Sequence, residues 1–231
     1  MLKHNSKNNR LIFALINSME KSLAPYLDFT LLKPDSTRIQ VLELCAKAEE
    51  KSYKAVCIPP YYVPLAFHAL RDCEVRVCTV VGFPLGYSES DSKIEETRRA
   101  LEQGADEIDM VVNIAAVKSG DYLRVGDEII SLSRMCHDKG KLLKVIIESG
   151  MMSEDEIRLL CELCIAGQAD FVKTSTGFNG VGAEIEKVKL IRSLLPEKFQ
   201  VKASGGIRTE EQAWEMIQAG AGRIGASTAF I

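Results

Sequence analysis

Short β-rich apolar runs alternate along this chain with longer stretches in which apolar residues recur every three or four positions. The runs are Pro25 to Leu31, Tyr53 to Ile58, Val75 to Val81, Glu107 to Val112, Leu142 to Glu148, Phe171 to Ser175, Gln200 to Ala203 and Arg223 to Ala226. Eight strand candidates separated by helical segments read as parallel βαβ units, because a parallel strand pair needs a crossover long enough to hold a helix. The helical segments carry their own punctuation. Ser153 with Glu156 and Thr209 with Gln212 have capping-box spacing, and Gly104, Gly140, Gly167 and Gly220 stand where helices should stop. After Asp35 and Ser36, the residues Ile39, Leu42 and Ala46 form an apolar stripe, expected to face the core.

Eight such steps in 231 residues argue for a single-domain (β/α)8 barrel over residues 25–231, preceded by a polar tail and short helix over 1–24. An open doubly wound sheet is the alternative, but "LDFTLLKPDS" after the first strand lacks the glycines of a dinucleotide turn. The chain ends a few residues after the eighth strand, so the final helix is expected to be shortened or absent.

Composition narrows the function. With 46% hydrophobic and 26% charged residues and a net charge of -3, the chain has no basic footprint for nucleic acid or an anionic membrane. It also has no apolar run of membrane-spanning length and no signal-peptide cleavage site. Cys45, Cys57, Cys73, Cys78, Cys136, Cys161 and Cys164 follow no framework spacing, which fits reduced thiols in the cytoplasm. Cys161 and Cys164 form a C-x-x-C inside a helical pattern with no second ligand pair, so packing is the expected role. Only three histidines are present, none beside a serine, cysteine or carboxylate cluster, so neither a Ser-His-Asp hydrolase nor a His-ligated metal site is easily built.

Charged residues inside strands are the remaining chemistry. In a barrel they point to the lumen, and Asp28, Asp109, Lys173 and Lys202 meet that description. An internal ion-pair network of structural value alone is one reading; an active site at the C-terminal mouth is the other. Lys173 and Lys202 fall on consecutive strands about 5 Å apart. Two ammonium groups about 6 Å apart at an effective dielectric near 20 repel by roughly 2 to 3 kcal/mol. That pushes one amine of the pair toward its neutral, nucleophilic form, so Lys173 is expected to form a Schiff base with Lys202 as the activating charge. "TSTG", "SGGIRT" and "GAST" after the last three strands offer backbone N–H groups and hydroxyls for an anion.

With these residues in view, the segments "LDFTLLKPDST", "VCIPP", "VVGFPLG", "EIDMVVNI", "FVKTSTGF", "VKASGGIRT" and "RIGAST" closely resemble the deoxyribose-phosphate aldolase family over about Pro25 to Thr228. The resemblance implies a class I aldolase barrel that reversibly cleaves 2-deoxy-D-ribose 5-phosphate to D-glyceraldehyde 3-phosphate and acetaldehyde, with no metal or organic cofactor. It implies that Lys173 forms the imine and that Asp109 and Lys202 assist proton transfer. Asp28, Thr30 and Thr176 are then expected at the sugar, and Gly177, Gly205, Gly206, Gly225, Ser227 and Thr228 at the phosphate; Cys57, on the second strand near the mouth, is expected either beside the sugar or packed in the core. A homodimer is the family-level expectation. Phe29 stands where many members have His, and Phe178 where some have a phosphate-binding Lys. The C-terminal tail that carries a proton-transfer role in some members has no counterpart. A Schiff-base aldolase for another sugar phosphate and a non-catalytic sugar-phosphate-binding barrel are the competing readings.

Overall fold

The structure, a computed structural model, describes residues 22–227. Nearly all of the expected N-terminal tail and helix lies outside the described residues. So do Thr228 and the three residues after it, on which the expectation about the final helix rests.

Eight parallel strands close into a barrel in sequence order, with β1 (Leu27–Thr30) paired to both β2 (Ala55–Ile58) and β8 (Arg223–Ala226). Between them lie β3 (Arg76–Val81), β4 (Glu107–Val111), β5 (Leu142–Ile146), β6 (Phe171–Lys173) and β7 (Gln200–Ser204). The outer layer holds α1 (Arg38–Glu50), α2 (Val63–Leu70) and α3 (Ser90–Glu102) after the first three strands, then both α4 (Ile114–Lys118) and α5 (Tyr122–His137) after β4. It continues with α6 (Glu154–Ala166), α7 (Ile185–Leu194) and α8 (Glu210–Gln218). The expected strands are all present; β1 is shortened most, by three residues, and β5 and β6 each end two residues early. Glu148 adopts φ +50° and turns the chain out of β5. The Thr174 hydroxyl donates to the Ser204 carbonyl and accepts from the Ser204 N–H, so side-chain bonds take over where the β6 ladder stops.

Helix starts follow local chemistry closely. Thr37, Ser153 and Thr209 each form a reciprocal capping box with the residue three positions on, Gln40, Glu156 and Gln212. Thr37 rather than Asp35 or Ser36 thus starts α1. The expected buried face of α1 is a correction: Ile39, Leu42 and Ala46 face outward, and Val41, Leu44, Cys45 and Ala48 pack inward. Both sets have helical spacing, and contact with β2 and α2 decides between them. Gly167 ends α6 as expected, but it stays right-handed while Gln168 makes the turn at φ +58°. Glycine is needed there for closeness, since a Cβ would lie 2.6 Å from Ile129 Cγ2.

The main core lies between strands and helices, built from the outward-facing Val, Ile and Leu of each strand, such as Val56, Ile108, Val145, Val172 and Val201. Cys161 and Cys164 belong to it, as their packing role requires, and burial pushes the Cys161 thiol up to about 12. Inside the barrel the composition changes. Ala55, Cys57, Cys78 and Val80 from β2 and β3 form a small apolar patch, while the other strands carry ionised side chains.

Candidate active site

Strand alternation sends every second residue into the lumen. On β4 those residues are Glu107 and Asp109; on β5, Lys144; on β6, Phe171 and Lys173; on β7, Lys202 and Ser204; on β8, Arg223; and on β1, Asp28. All seven ionisable groups are at most 4% exposed. Asp109 sits at the centre. Its Oδ2 accepts from Lys173 Nζ and Lys202 Nζ, both at 2.7 Å, and its Oδ1 accepts from Lys144 Nζ at 2.7 Å and from the Cys78 thiol at 3.1 Å. Lys202 also donates to Asp28 Oδ2, and Lys144 reaches Glu107 Oε2 at 2.6 Å. Arg223 closes the network beneath, donating to Asp28 Oδ1 at 2.6 Å and to Glu107 Oε2 at 3.0 Å.

Burial by itself would raise the Asp109 carboxyl, but Lys144, Lys173 and Lys202 overcome it and hold that group well below the carboxylate range. Asp28 is lowered in the same way, its burial outweighed by Lys202, Arg223 and Lys144. Burial should likewise strip protons from Lys144 and Lys202. Asp109 and the other acids reverse this, so both ammonium groups are held above the usual lysine range.

Above the cluster lies a cavity of about 640 Å³ at the C-terminal mouth of the barrel. Of the cluster's four cations, Lys173 alone lines it. Thr30, Thr176, Gly177, Gly205, Gly206, Gly225 and Ser227 line it as well, so the structure brings most of the expected sugar and phosphate residues to one space. Gly177 and Gly205 have φ of +82° and +87°, and their loops pass so close that a Cβ on Gly205 would lie 3.2 Å from the Gly177 Cα. Gly225 has a different use, since a Cβ there would lie 2.9 Å from Ser204 Cβ and 3.2 Å from Lys202 Cε. Its missing side chain makes room for the lysine.

Two expected sugar contacts lie elsewhere. Cys57 is fully buried below the cavity against Cys78, and Asp28 is buried between Lys202 and Arg223. Neither side chain reaches the open space. The Thr176 hydroxyl is engaged too, donating to Glu148 Oε2 at 2.6 Å and accepting from the Phe178 N–H.

Residues 23–229 match the DeoC/LacD family of aldolases. The chain belongs to that family. It is 47% identical to the deoxyribose-phosphate aldolase of Micrococcus luteus, covering 90% of this chain and 93% of that one. It is also 47% identical to the Thermococcus kodakarensis deoxyribose-phosphate aldolase, covering 90% and 94%. Among solved structures, the tetrameric deoxyribose phosphate aldolase of Aeropyrum pernix superposes with a TM-score of 0.83 at 32% identity, covering 89% of this chain and 86% of that one.

The aldolase site corrects one expectation drawn from the lysine pair. Lys173 and Lys202 do not simply repel, because one carboxylate oxygen lies 2.7 Å from each. At an effective dielectric near 20, each attraction is about 6 kcal/mol, whereas the repulsion of two ammonium groups roughly 4 to 5 Å apart on one oxygen is about 3 to 4 kcal/mol. Attraction wins, and what counts is how three ammonium groups share Asp109.

The aldolase site also contains groups that the sequence reading passed over: Glu107, Lys144, Arg223, Cys78 and Glu148. Glu107 precedes Asp109 by two residues and so shares its face, a signal that was there to be read. Lys144 lies mid-strand in "LLKVI" and meets the same test. Glu148 had no such signal. Its carboxylate takes the Thr176 N–H and hydroxyl and the Asn179 amide, tying the end of β5 to the loop after β6. Those bonds offset the roughly 1 to 3 kcal/mol that its left-handed backbone costs.

Two sets of ligand-type atoms, Cys57 with Cys78 and Asp109, and Asp28 with Cys78 and Glu107, lie within 4.8 Å of one another. In both, the position a metal would take is contested by ammonium groups. Lys144 Nζ stands 2.6 Å from Glu107, 2.7 Å from Asp109 and 3.3 Å from the Cys78 sulfur. A metal ion would meet the fixed charges of Lys144, Lys173 and Lys202, so the set suits ammonium groups better than a metal.

Proposed function

We propose that the protein is a deoxyribose-phosphate aldolase, a class I carbon-carbon lyase that reversibly cleaves 2-deoxy-D-ribose 5-phosphate to D-glyceraldehyde 3-phosphate and acetaldehyde. The observation that carries this reading is the placement of Lys173, an amine at the floor of an open cavity and 2.7 Å from a buried carboxylate. Lys173 Nζ attacks the C1 aldehyde, and loss of water leaves a protonated imine. Acetaldehyde takes C1 and C2, so the bond that breaks is C2–C3. Its electron pair enters the C1–C2 bond as the enamine, with the iminium nitrogen as electron sink, while the C3 hydroxyl gives up its proton and becomes the aldehyde of the three-carbon product. Protonation of C2 and hydrolysis of the imine release acetaldehyde.

Asp109 and Lys202 are proposed to carry these protons. A carboxylate hydrogen-bonded to two ammonium groups can pass a proton between them without accumulating charge. Gly177, Gly205, Gly206 and Ser227 are proposed to receive the phosphate through backbone N–H groups and a hydroxyl, with Arg208 on the same cavity wall. Thr30 is proposed to face the sugar.

Self-association as a homodimer belongs to the same proposal. It is supported by the outward apolar Ile39 and Leu42 of α1, 68% and 38% exposed, and light scattering tests it. A cytoplasmic location is supported by seven free thiols; no helix among the described residues is long and apolar enough to cross a membrane. The deciding experiment follows acetaldehyde release from the phosphorylated sugar and, in parallel, traps acetaldehyde with cyanoborohydride. Turnover with a two-carbon adduct on Lys173 is expected. No turnover, or an adduct confined to Lys202 or Lys144, would overturn the assignment.

A further inference from the structure

Resting on the assignment of Lys173 as the imine-forming amine, we propose that Glu107 and Arg223 are positioning residues: an ion pair beneath the reacting atoms that sets the charge of the cluster, so that Lys173 is the one cation left without a matching carboxylate. Neither residue touches the cavity.

The charges are countable. Facing one another in the lumen are Asp28 from β1, Glu107 and Asp109 from β4, Lys144 from β5, Lys173 from β6, Lys202 from β7 and Arg223 from β8. The thiols of Cys57 on β2 and Cys78 on β3 complete the ring. Three carboxylates balance Lys144, Lys202 and Arg223. Lys173 is the fourth cation, and the only one of the four beside open space. Arg76 also approaches Glu107, at 3.4 Å, but its side chain is 42% exposed and solvent screens it. On the cavity wall Lys33, Glu43, Lys47 and Arg208 are exposed or half-buried and screened by solvent, and Glu148, at the end of β5, is turned toward Thr176 and Asn179.

Geometry makes the lower pair an effective counterweight. Glu107 is two residues before Asp109 on the same strand face, about 6 to 7 Å deeper. Arg223 bonds Asp28 and Glu107 together, and its guanidinium lies 5.1 Å over the Phe171 ring, which excludes water from beneath. From Arg223 one path runs through Asp28 and Lys202 to Asp109, and another through Glu107 and Lys144 to Asp109. Both end on the carboxylate that holds Lys173. A guanidinium keeps its proton throughout the working pH range. Lys144 and Lys202 are held in their charged forms by their acids, so the resting charge of the deep layer stays constant, and Lys202 takes part in turnover only by passing a proton on and regaining it.

The prediction has a sign for each partner. Without the Arg223 charge, the cluster has one cation fewer and retains the Lys173 proton to higher pH. Without the Glu107 charge, two cations lack a carboxylate instead of one, and the cluster sheds that proton earlier. The experiment measures the initial rate of acetaldehyde trapping on Lys173 by cyanoborohydride between pH 5 and 10, read by peptide mass, in the parent and in four variants. Arg223→Gln should move the midpoint up by about one pH unit, and Glu107→Gln should move it down by about as much. Arg223→Lys, which keeps the charge, and the balanced double variant Glu107→Gln with Arg223→Gln should both return close to the parent value. Trapping is stoichiometric, so it is readable even where turnover is lost, and circular dichroism identifies any variant that fails to fold. If one single variant does not fold, the other together with the double variant still tests the sign. Shifts in the same direction for both single variants, or none in a folded variant, would overturn the proposal. Failure of the parent to trap acetaldehyde would instead overturn the aldolase reading.

Discussion

Two buried lysines in this protein, Lys93 and Lys173, look alike one at a time and differ in their company. Lys93, on α3, lies outside the barrel between α3, β4 and α5, and donates to Glu128 Oε2 at 2.8 Å and the Val111 carbonyl at 3.0 Å. Ser90 takes the other Glu128 oxygen at 2.9 Å. One cation meets one carboxylate, and although Ser90 and Glu128 border a surface pocket, Lys93 itself does not line it. Burial nonetheless pulls Lys93 below the usual lysine range, with Glu128 only partly compensating. Lys173 shares its carboxylate with two other ammonium groups and opens onto the cavity. Burial of a lysine is therefore weak evidence of chemistry. An unbalanced charge beside open space is stronger evidence, because it leaves one group that can exchange its proton with a ligand present.

The widest gap between the two lysines should appear on deletion. Lys173→Ala removes the nucleophile, and cleavage should fall by at least about four orders of magnitude, with little change in the melt. Lys93→Met should do the reverse, leaving kcat within about threefold and costing about 3 to 5 kcal/mol because Glu128 is stranded in the interior. Pairing it with Glu128→Leu should restore most of that stability. Urea melts and acetaldehyde release on the same preparations measure both. A folded Lys93→Met protein that no longer forms the imine would erase the distinction.

What could be read in advance follows the same division. A period of two exposes a charged residue to the lumen, and this was enough to place Asp28, Asp109, Lys173 and Lys202 in one barrel interior. Which charges meet depends on register, and the sequence does not contain it. Asp109 lies opposite Lys144, and Lys173 opposite Lys202, only once the barrel is closed. Arg223 and Glu107 stand at the first positions of their strands, where a polar residue ordinarily marks entry from solvent. The faces of α1 failed for a related reason, since Ile39 and Leu42 repeat as regularly as Val41 and Leu44. Glu148, in a left-handed turn, has its role only through Thr176 and Asn179, which are about 30 residues downstream.

The two regions should also part on titration. Asp28, Glu107 and Asp109 are held below their ordinary values, so their contribution to stability is complete above the unfolded carboxyl range near 4. It drains away as pH falls through their folded values. Lys144 and Lys202 are raised, so their contribution is complete below about 10.4 and is lost only at higher pH. Lys93 is lowered, and its folding penalty is relieved as pH rises toward 10.4. Tm should therefore be nearly flat from pH 5 to 9 and fall by about 10 °C or more by pH 3. Asp28→Asn should shrink that acid loss, whereas Glu128→Gln should leave it nearly intact. Equal effects from the two substitutions would place the acid-sensitive charges outside the barrel.

The smallest expected effect concerns the rim, where an aromatic residue occupies a place suited to a cation. Phe178 is 49% exposed and meets Phe83 edge-on at 5.2 Å between ring centroids, joining the loops after β3 and β6. It adjoins Gly177, so Phe178→Lys would add a positive charge beside the proposed phosphate donors while removing an aromatic contact worth about 0.5 to 1.5 kcal/mol. A solvent-screened ammonium gains about 1 kcal/mol from a phosphate, which corresponds to about fivefold in kcat/KM for the phosphorylated sugar. Unphosphorylated 2-deoxyribose lacks the anion and should gain nothing. The ratio of the two should shrink as salt rises from 0.01 to 0.3 M, because the screening length falls from about 30 Å to well under 10 Å. Equal gains for both sugars would mean that the lysine acts by opening the rim, and a gain insensitive to salt would mean that the phosphate is bound away from Gly177.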